Sequence, residues 1–203
     1  KVQELLARGL PADLELKQAT PLMLAARDQQ LEICQLLLEH GAMAKLAVND
    51  HFFAQKSPDL LGLLLRHGVD PQRLLRPVLN GWTVQSAKIL LDAGVDLNLP
   101  DERGFTALHT AANNSTEMVG LVLQHGARFG ILSSGGGHPL GFCALWGYSG
   151  RLKALLEAGF PVDLLQQAPA DSALFAACRE GHYRCASILL EFGADPNLRC
   201  ADV

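Results

Sequence analysis

The feature that most constrains this chain is a glycine that closes an apolar run and keeps returning. It appears as Leu5-Leu6-Ala7-Arg8-Gly9, Leu37-Leu38-Glu39-His40-Gly41, Leu64-Leu65-Arg66-His67-Gly68 and Leu90-Leu91-Asp92-Ala93-Gly94. It recurs as Val122-Leu123-Gln124-His125-Gly126, Leu155-Leu156-Glu157-Ala158-Gly159 and Leu189-Leu190-Glu191-Phe192-Gly193. The seven glycines are separated by 32, 27, 26, 32, 33 and 34 residues. Each stands where a helix C-terminus needs a left-handed residue, which glycine adopts without Cβ strain. Self-similarity at this period predicts a stack of small helical units.

About twenty residues before most of these glycines lies a second signature, Thr20-Pro21-Leu22-Met23-Leu24-Ala25-Ala26, repeated as Thr106-Ala107-Leu108-His109-Thr110-Ala111-Ala112. Looser copies are His138-Pro139-Leu140-Gly141-Phe142-Cys143-Ala144 and Ser172-Ala173-Leu174-Phe175-Ala176-Ala177-Cys178. A Thr or Ser N-cap, a Pro in the first turn and small residues after it predict a helix that lies close against its neighbours. A second helix follows, as in Gly181 to Leu190, with Ala186, Leu189 and Leu190 on one face.

This pattern resembles the ankyrin repeat, a turn and two antiparallel helices of about 33 residues. Asp101-Glu102-Arg103-Gly104-Phe105-Thr106-Ala107-Leu108-His109-Thr110-Ala111-Ala112 is the best copy, and Glu191-Phe192-Gly193-Ala194-Asp195-Pro196-Asn197 resembles the closing segment. The resemblance covers essentially the whole chain. It implies an all-α ankyrin-repeat solenoid over residues 1–203, with about six helix pairs after an N-terminal half repeat. Two junctions depart from the pattern. After Gly41 and after Gly68 the Thr-Pro-Leu-His signature is missing, replaced near Ala47-Val48-Asn49-Asp50 and Arg73-Leu74-Leu75-Arg76. The hairpin fingers are expected to be trimmed there while the helix pairs persist, since Ser57-Pro58-Asp59 opens a helix well. In the repeat ending at Gly126 one residue is deleted, and Asn114 is expected to take the left-handed position between the helices. Val2, Leu5 and Leu6 read as a second helix without its first, so the array is expected to continue or be covered at one or both ends.

Composition narrows the function. The formal charge is −4 and the seventeen basic residues are spread along the chain, so no basic stripe for nucleic acid is present. The longest uncharged stretch, Phe129 to Gly150, is broken by Ser133-Ser134-Gly135-Gly136-Gly137-His138-Pro139 and is not expected to cross a membrane. Lys1-Val2-Gln3-Glu4 reads as an internal start rather than a targeting segment. Cys34, Cys143, Cys178, Cys185 and Cys200 are odd in number and irregularly spaced, which suits a reducing, intracellular and cytoplasmic setting. They are expected to be buried as small apolar residues.

Candidate chemistry is thin. Gly135-Gly136-Gly137 is followed by no Lys-Ser/Thr, so it reads as a finger tip with Gly136 as its turn glycine rather than a phosphate cradle. Cys178, His182 and Cys185 include zinc-ligand types, but Cys178 and Cys185 fall at core positions of the repeat. His40, His67 and His125 precede the closing glycines, where a ring donor caps a helix end. His109 is similar to the family's signature histidine, which bonds turn backbone. No nucleophile-base or paired-carboxylate arrangement emerges, so no enzymatic activity and no cofactor or metal are expected.

The resemblance implies a protein-protein interaction module, an adaptor or scaffold that binds a protein or peptide on a concave face of first helices and fingers. The contact positions it implies are Arg27, Asp28, Thr110, Asn113, Leu145, Trp146, Arg179 and Glu180 on first helices, and Glu102, Arg103 and Phe105 on a finger. A partner along Thr110 to Glu180 would bury on the order of 1,200–2,000 Å². Trp146 is either an aromatic anchor or packing between repeats. Phe52, Phe53 and Trp82 are expected to fill the space left by the trimmed fingers. Asn98 and Asn197 are similar to asparagines hydroxylated in this family. Alternative readings are the substrate-receptor part of a ubiquitin ligase, or a regulatory array attached to an enzyme in the same polypeptide. Oligomeric state stays open.

Overall fold

In each second helix the last turn explains why the glycines recur. A computed structural model of the chain describes residues 20–48, 57–166 and 171–198. Gly41, Gly68, Gly94, Gly126, Gly159 and Gly193 all have φ between 80° and 91°. With that conformation the chain reverses and two further amides reach back into the helix. Ala127 N donates to Val122 O at 3.1 Å and Gly126 N to Leu123 O at 3.1 Å, and the pattern returns at Ala42, Val69, Phe160 and Ala194. These paired bonds satisfy helix-end carbonyls, and the apolar residue after each of these five glycines is buried in the core.

Eleven α-helices lie among the described residues. They are α1 (Pro21–Arg27), α2 (Leu31–Glu39), α3 (Pro58–Arg66), α4 (Pro71–Gly81), α5 (Val84–Asp92), α6 (Ala107–Asn114), α7 (Thr116–Gln124), α8 (Pro139–Leu145), α9 (Ser149–Glu157), α10 (Ala173–Arg179) and α11 (Tyr183–Glu191). A 3-10 turn covers Ala44–Ala47. The chain divides into two compact units, residues 1–78 with 85–95, and residues 79–84 with 96–203.

In the first unit, Thr20 caps α1 by accepting from Met23 N at 3.2 Å, and Ser57 caps α3 by accepting from Leu60 N at 3.3 Å, as the Ser-Pro-Asp start predicts. The core is built from Leu22, Cys34, Leu37, Leu60, Leu61, Leu64 and Leu74, the helix faces that the leucine spacing predicts. The junction after Gly68 is trimmed as expected, with only Val69 and Asp70 separating Gly68 from α4, whereas the one after Gly41 runs into residues 49–56, outside the described residues. After Gly68, Asp70 Oδ1 accepts from Gln72 N at 2.9 Å and Pro71 opens the helix, so an Asp-Pro start replaces the absent finger. Phe52 and Phe53 lie outside the described residues.

In the second unit, α6 to α11 form three helix pairs whose buried faces meet at Leu108, Val119, Val122, Leu140, Leu152, Leu155 and Leu189. Two fingers precede α6 and α8. In the first, Asp101 Oδ1 accepts from Arg103 N at 2.8 Å and Phe105 N at 2.7 Å, while Gly104 turns at φ 75°. In the second, Ser133 takes the aspartate's part, its Oγ accepting from Gly137 N at 3.1 Å, and Gly136 turns at φ 74° as the sequence predicts. Ser134 N donates to Arg103 O at 2.8 Å and ties one finger to the next.

Several expectations need correction. Asn114 is not left-handed; it ends α6 as a helical residue, and Ser115 caps α7 by accepting from Met118 N at 3.1 Å. The deletion removes the turn residue itself, so the helix runs on and Asn114 Nδ2 donates to Leu79 O at 2.7 Å instead. The left-handed non-glycine among the described residues is Gln29, at φ 55° between α1 and α2. Cys178 is exposed rather than part of the core, whereas Cys34, Cys143 and Cys185 are buried. It occupies the outward side of the last turn of α10, and Ala177 beside it is the residue that faces inward. Cys200 lies outside the described residues. Trp82 is 7% exposed, so it is buried rather than presented at the surface.

Candidate functional site

The repeated finger-and-helix geometry brings side chains from distant sequence to one open groove in the second unit. Its volume is about 560 Å³. Glu102, Arg103 and Phe105 come from the first finger, Ser133, Ser134, Gly135 and Gly137 from the second, Phe142 and Leu145 from α8, and Ala176 and Arg179 from α10. Gln166 and Asp171 complete the lining, joined at their backbones where Gln166 N donates to Asp171 O at 3.0 Å.

One wall is aromatic. The Phe105 and Phe142 rings lie 5.6 Å apart, with His109 behind them at 5.4 Å from Phe105 and 6.0 Å from Phe142. His109 is held in place from both ring nitrogens. Nδ1 accepts from Thr106 N at 3.1 Å, leaving Nε2 to donate to Gly137 O at 3.3 Å. The signature histidine therefore joins two fingers, in agreement with its expected role in bonding turn backbone.

The other wall is polar and fixed. Arg179 Nη1 donates to Asp171 Oδ2 at 2.7 Å, and its Nε donates to Glu180 Oε1 at 2.9 Å. Hydrogen bonding to Glu180 first, and to Asp171 after it, raises the Arg179 pKa against the opposing effect of burial. The Asp171 side chain is 8% exposed, so Arg179 is the cation that makes its burial tolerable. A guanidinium held by two acids presents its remaining N–H groups in a set direction, which lowers the ordering cost of meeting a partner.

Five residues expected from sequence thus converge: Glu102, Arg103, Phe105, Leu145 and Arg179. Glu180 stands behind Arg179 as its acid partner. Thr110 is spent on its own helix, Oγ1 donating to Thr106 O at 3.4 Å, and exposed Asn113 is not among the lining residues. Trp146 caps the end of α8 and is 62% exposed, so it is not core packing between repeats, yet it does not line the groove. Tyr148 lies under the Arg151 guanidinium, 3.5 Å from the ring centroid, while Arg151 Nη1 donates to Ala112 O at 2.9 Å. Arg27 and Asp28 belong to the first unit and pair with each other at 2.9 Å on the surface. Gln166, Asp171 and Phe142 were not singled out from sequence. Asp171 had one usable signal, its place directly before the Ser172 cap.

Asn98 and Asn197 lie in the loops after the closing glycines. Asn98 N donates to Asp96 Oδ1 and Asn197 N to Asp195 Oδ1, both at 2.8 Å. His40 and His125 cap helix ends as expected, each ring Nδ1 2.9 Å from the carbonyl of Leu36 or Leu121. His182 instead bridges pairs, with Nε2 3.0 Å from Leu145 O. Among the described residues no helix is long and apolar enough to cross a membrane.

Comparison with known proteins gives a consistent picture. A model described as ankyrin repeats in three copies matches residues 51–133 and 75–168, and a single ankyrin-repeat model matches 17–51 and 171–201. The crystal structure of the ankyrin repeat domain of Bcl-3, described as a unique member of the IkappaB protein family, superposes with a TM-score of 0.76. It is 26% identical, with 93% of this chain and 90% of that chain covered. The ankyrin repeat domain-containing protein SAT10 of Stachybotrys chartarum is 37% identical over 106 residues, which is 52% of this chain and 5% of that protein. A Caenorhabditis elegans homolog of transient receptor potential cation channel subfamily A member 1 is 32% identical over 100 residues, 49% of this chain and 8% of that protein. The chain therefore spans only a small part of the length of these two relatives.

Proposed function

This chain belongs to the ankyrin-repeat family, and from that premise we propose that it recognises a protein partner by taking up an exposed segment of it in the groove between Phe105 and Arg179. Ankyrin repeats generally mediate protein-protein interaction. The observation that carries the finer reading is the convergence of Glu102, Arg103, Phe105, Leu145 and Arg179 on one open groove. The aromatic wall supplies apolar area, and the braced guanidinium supplies direction. Together these are the ingredients of a binding hot spot. Exposed Trp146 is a further contact for a partner that extends beyond the groove.

The reading is tested by selecting peptides from a random displayed library on the intact chain, then measuring each by calorimetry against variants. Phe105→Ala and Arg179→Ala are each expected to weaken binding by about 2 kcal/mol, roughly thirtyfold. Asn113→Ala, outside the groove, is expected to change little. Selected peptides that bind both groove variants as tightly as the parent chain would remove the groove from this role. We also propose Asn98 and Asn197 as hydroxylation acceptors, which mass spectrometry of the native protein reads as one added oxygen.

A further inference from the structure

The three first helices of the second unit each begin with a capping residue, Thr106 for α6, His138 for α8 and Ser172 for α10. Hydroxyl caps keep their protonation through the physiological range, whereas an imidazole does not. His138 is fully buried. Its Nδ1 accepts from Gly141 N at 3.0 Å, which requires an unprotonated nitrogen there. The ring proton therefore sits on Nε2, which donates to Leu164 O at 2.7 Å. Phe160 covers the ring at 5.3 Å between centroids.

The ionisable groups on the elements packed around His138 are committed elsewhere. On α6, His109 directs Nε2 to Gly137 O. Asp163, next to Leu164, accepts from Asp195 N. Asp171, which receives the Gln166 amide through its carbonyl, holds Arg179. None of these acids spends its carboxylate on the imidazole.

We infer that His138 makes the groove acid-sensitive: a proton taken from solvent onto Nδ1 turns the acceptor for Gly141 N–H into a donor facing a donor, and releases the start of α8. The same ring anchors both sides of the groove. Through α8 it sets Phe142 and Leu145, and through Leu164 it sets the segment that delivers Gln166. Burial lowers the His138 pKa from its usual 6.5, against a smaller opposing effect of the Leu164 carbonyl. The opened, solvated ring keeps the usual value, so the open state binds more protons. The closed groove is fully favoured above about pH 6.5 and loses that advantage as pH falls toward the depressed closed-state value.

The inference rests on the groove as the recognition site, but its device is read without any ligand. Hydrogen exchange of the whole chain, corrected for intrinsic rates, is measured at pH 7.4 and 5.5. Protection of the Gly141 amide is expected to fall severalfold at the lower pH in the parent chain, toward the roughly tenfold ceiling that an open-state value of 6.5 sets. In His138→Thr, which restores a hydroxyl cap, or in His138→Asn should the first fold poorly, protection is expected to be equal at both values. Unchanged protection in the parent, or the same loss in the capping variant, overturns the inference, as does an NMR assignment of the neutral ring proton to Nδ1. A peptide selected at pH 7.4 is then expected to bind the parent measurably more weakly at pH 5.5, by less than about tenfold, and the capping variant equally at both; an equal loss in both overturns the link to the groove. If no peptide is selected, the recognition reading fails while the exchange result still decides the device.

Discussion

The Asn98 carboxamide is bonded to the backbone of Arg128, thirty residues further along the chain, with Arg128 N donating to Asn98 Oδ1 at 2.8 Å. Its Nδ2 donates in turn to Gly126 O at 3.3 Å. One side chain therefore clamps the loop after α5 to the loop after α7, and does so just past the glycine that closes the second helix.

Truncating that clamp is expected to cost stability. Asn98→Ala removes both bonds at a partly exposed site, so a loss of about 1–2 kcal/mol is expected in urea unfolding. Asn98→Asp keeps the acceptor for Arg128 N but not the donor, and is expected to lose less. Equal stability of Asn98→Ala and the parent would mean that the two loops are held by packing alone.

Gly104 and Gly126 share a left-handed conformation but not an environment. A methyl group on Gly104 would collide with Ser134 N and the Ser133 backbone, while one on Gly126 meets nothing within 4 Å. Gly126→Ala is expected to cost only its conformational penalty of about 1 kcal/mol. Gly104→Ala is expected to cost roughly 2 kcal/mol or more, because it also forces the two fingers apart. Thermal denaturation of the two variants side by side checks the difference.

The two tryptophans are expected to report opposite environments. Trp82 is 7% and Trp146 62% exposed. In Trp146→Phe the remaining emission is expected to be blue-shifted and poorly quenched by acrylamide. Trp146→Phe is also expected to leave stability within about 0.5 kcal/mol, as surface substitutions do. Strong quenching of the variant would place the Trp82 indole in water.

Thiol labelling separates the cysteines. Burial pushes the Cys34 thiol up to about 11 and the Cys143 thiol up to about 12, so neither carries much thiolate at pH 8. Burial raises Cys185 in the same direction. Brief iodoacetamide treatment of the folded chain at pH 8 is expected to label exposed Cys178 and to spare these three until the protein is unfolded. Peptide mass spectrometry gives the readout, and labelling of Cys143 at the Cys178 rate would contradict its burial.

Much of the fold is legible in the sequence because it is set locally. A glycine after two leucines ends a helix through its own backbone freedom, and Thr20, Ser57 and Ser172 start helices through bonds spanning three residues. The errors fall where local rules compete. At Asn114 a left-handed residue is expected between the helices, where Gly147 and Gly181 do stand in the later pairs, but the deletion leaves no separate turn residue, and the side chain finds Leu79 O. Gln29 shows the converse, since nothing local marks a glutamine for φ 55°; the spacing between α1 and α2 imposes it. Cys178 was misread because its helix turns a neighbouring alanine to the core.

For the groove, the chain order alone determined which positions recur at finger tips and helix ends, and the resemblance to the ankyrin repeat nominated Phe105, Leu145 and Arg179 among them. Only the tertiary structure decided that these meet Phe142, Gln166 and Asp171, that Trp146 stands outside them, and that the histidine capping α8 also reaches Leu164. Periodicity follows from backbone geometry within a few residues and is written in the sequence. Convergence depends on how one repeat packs on the next, where a bond such as His138 Nε2 to Leu164 O spans twenty-six residues and has no local signature.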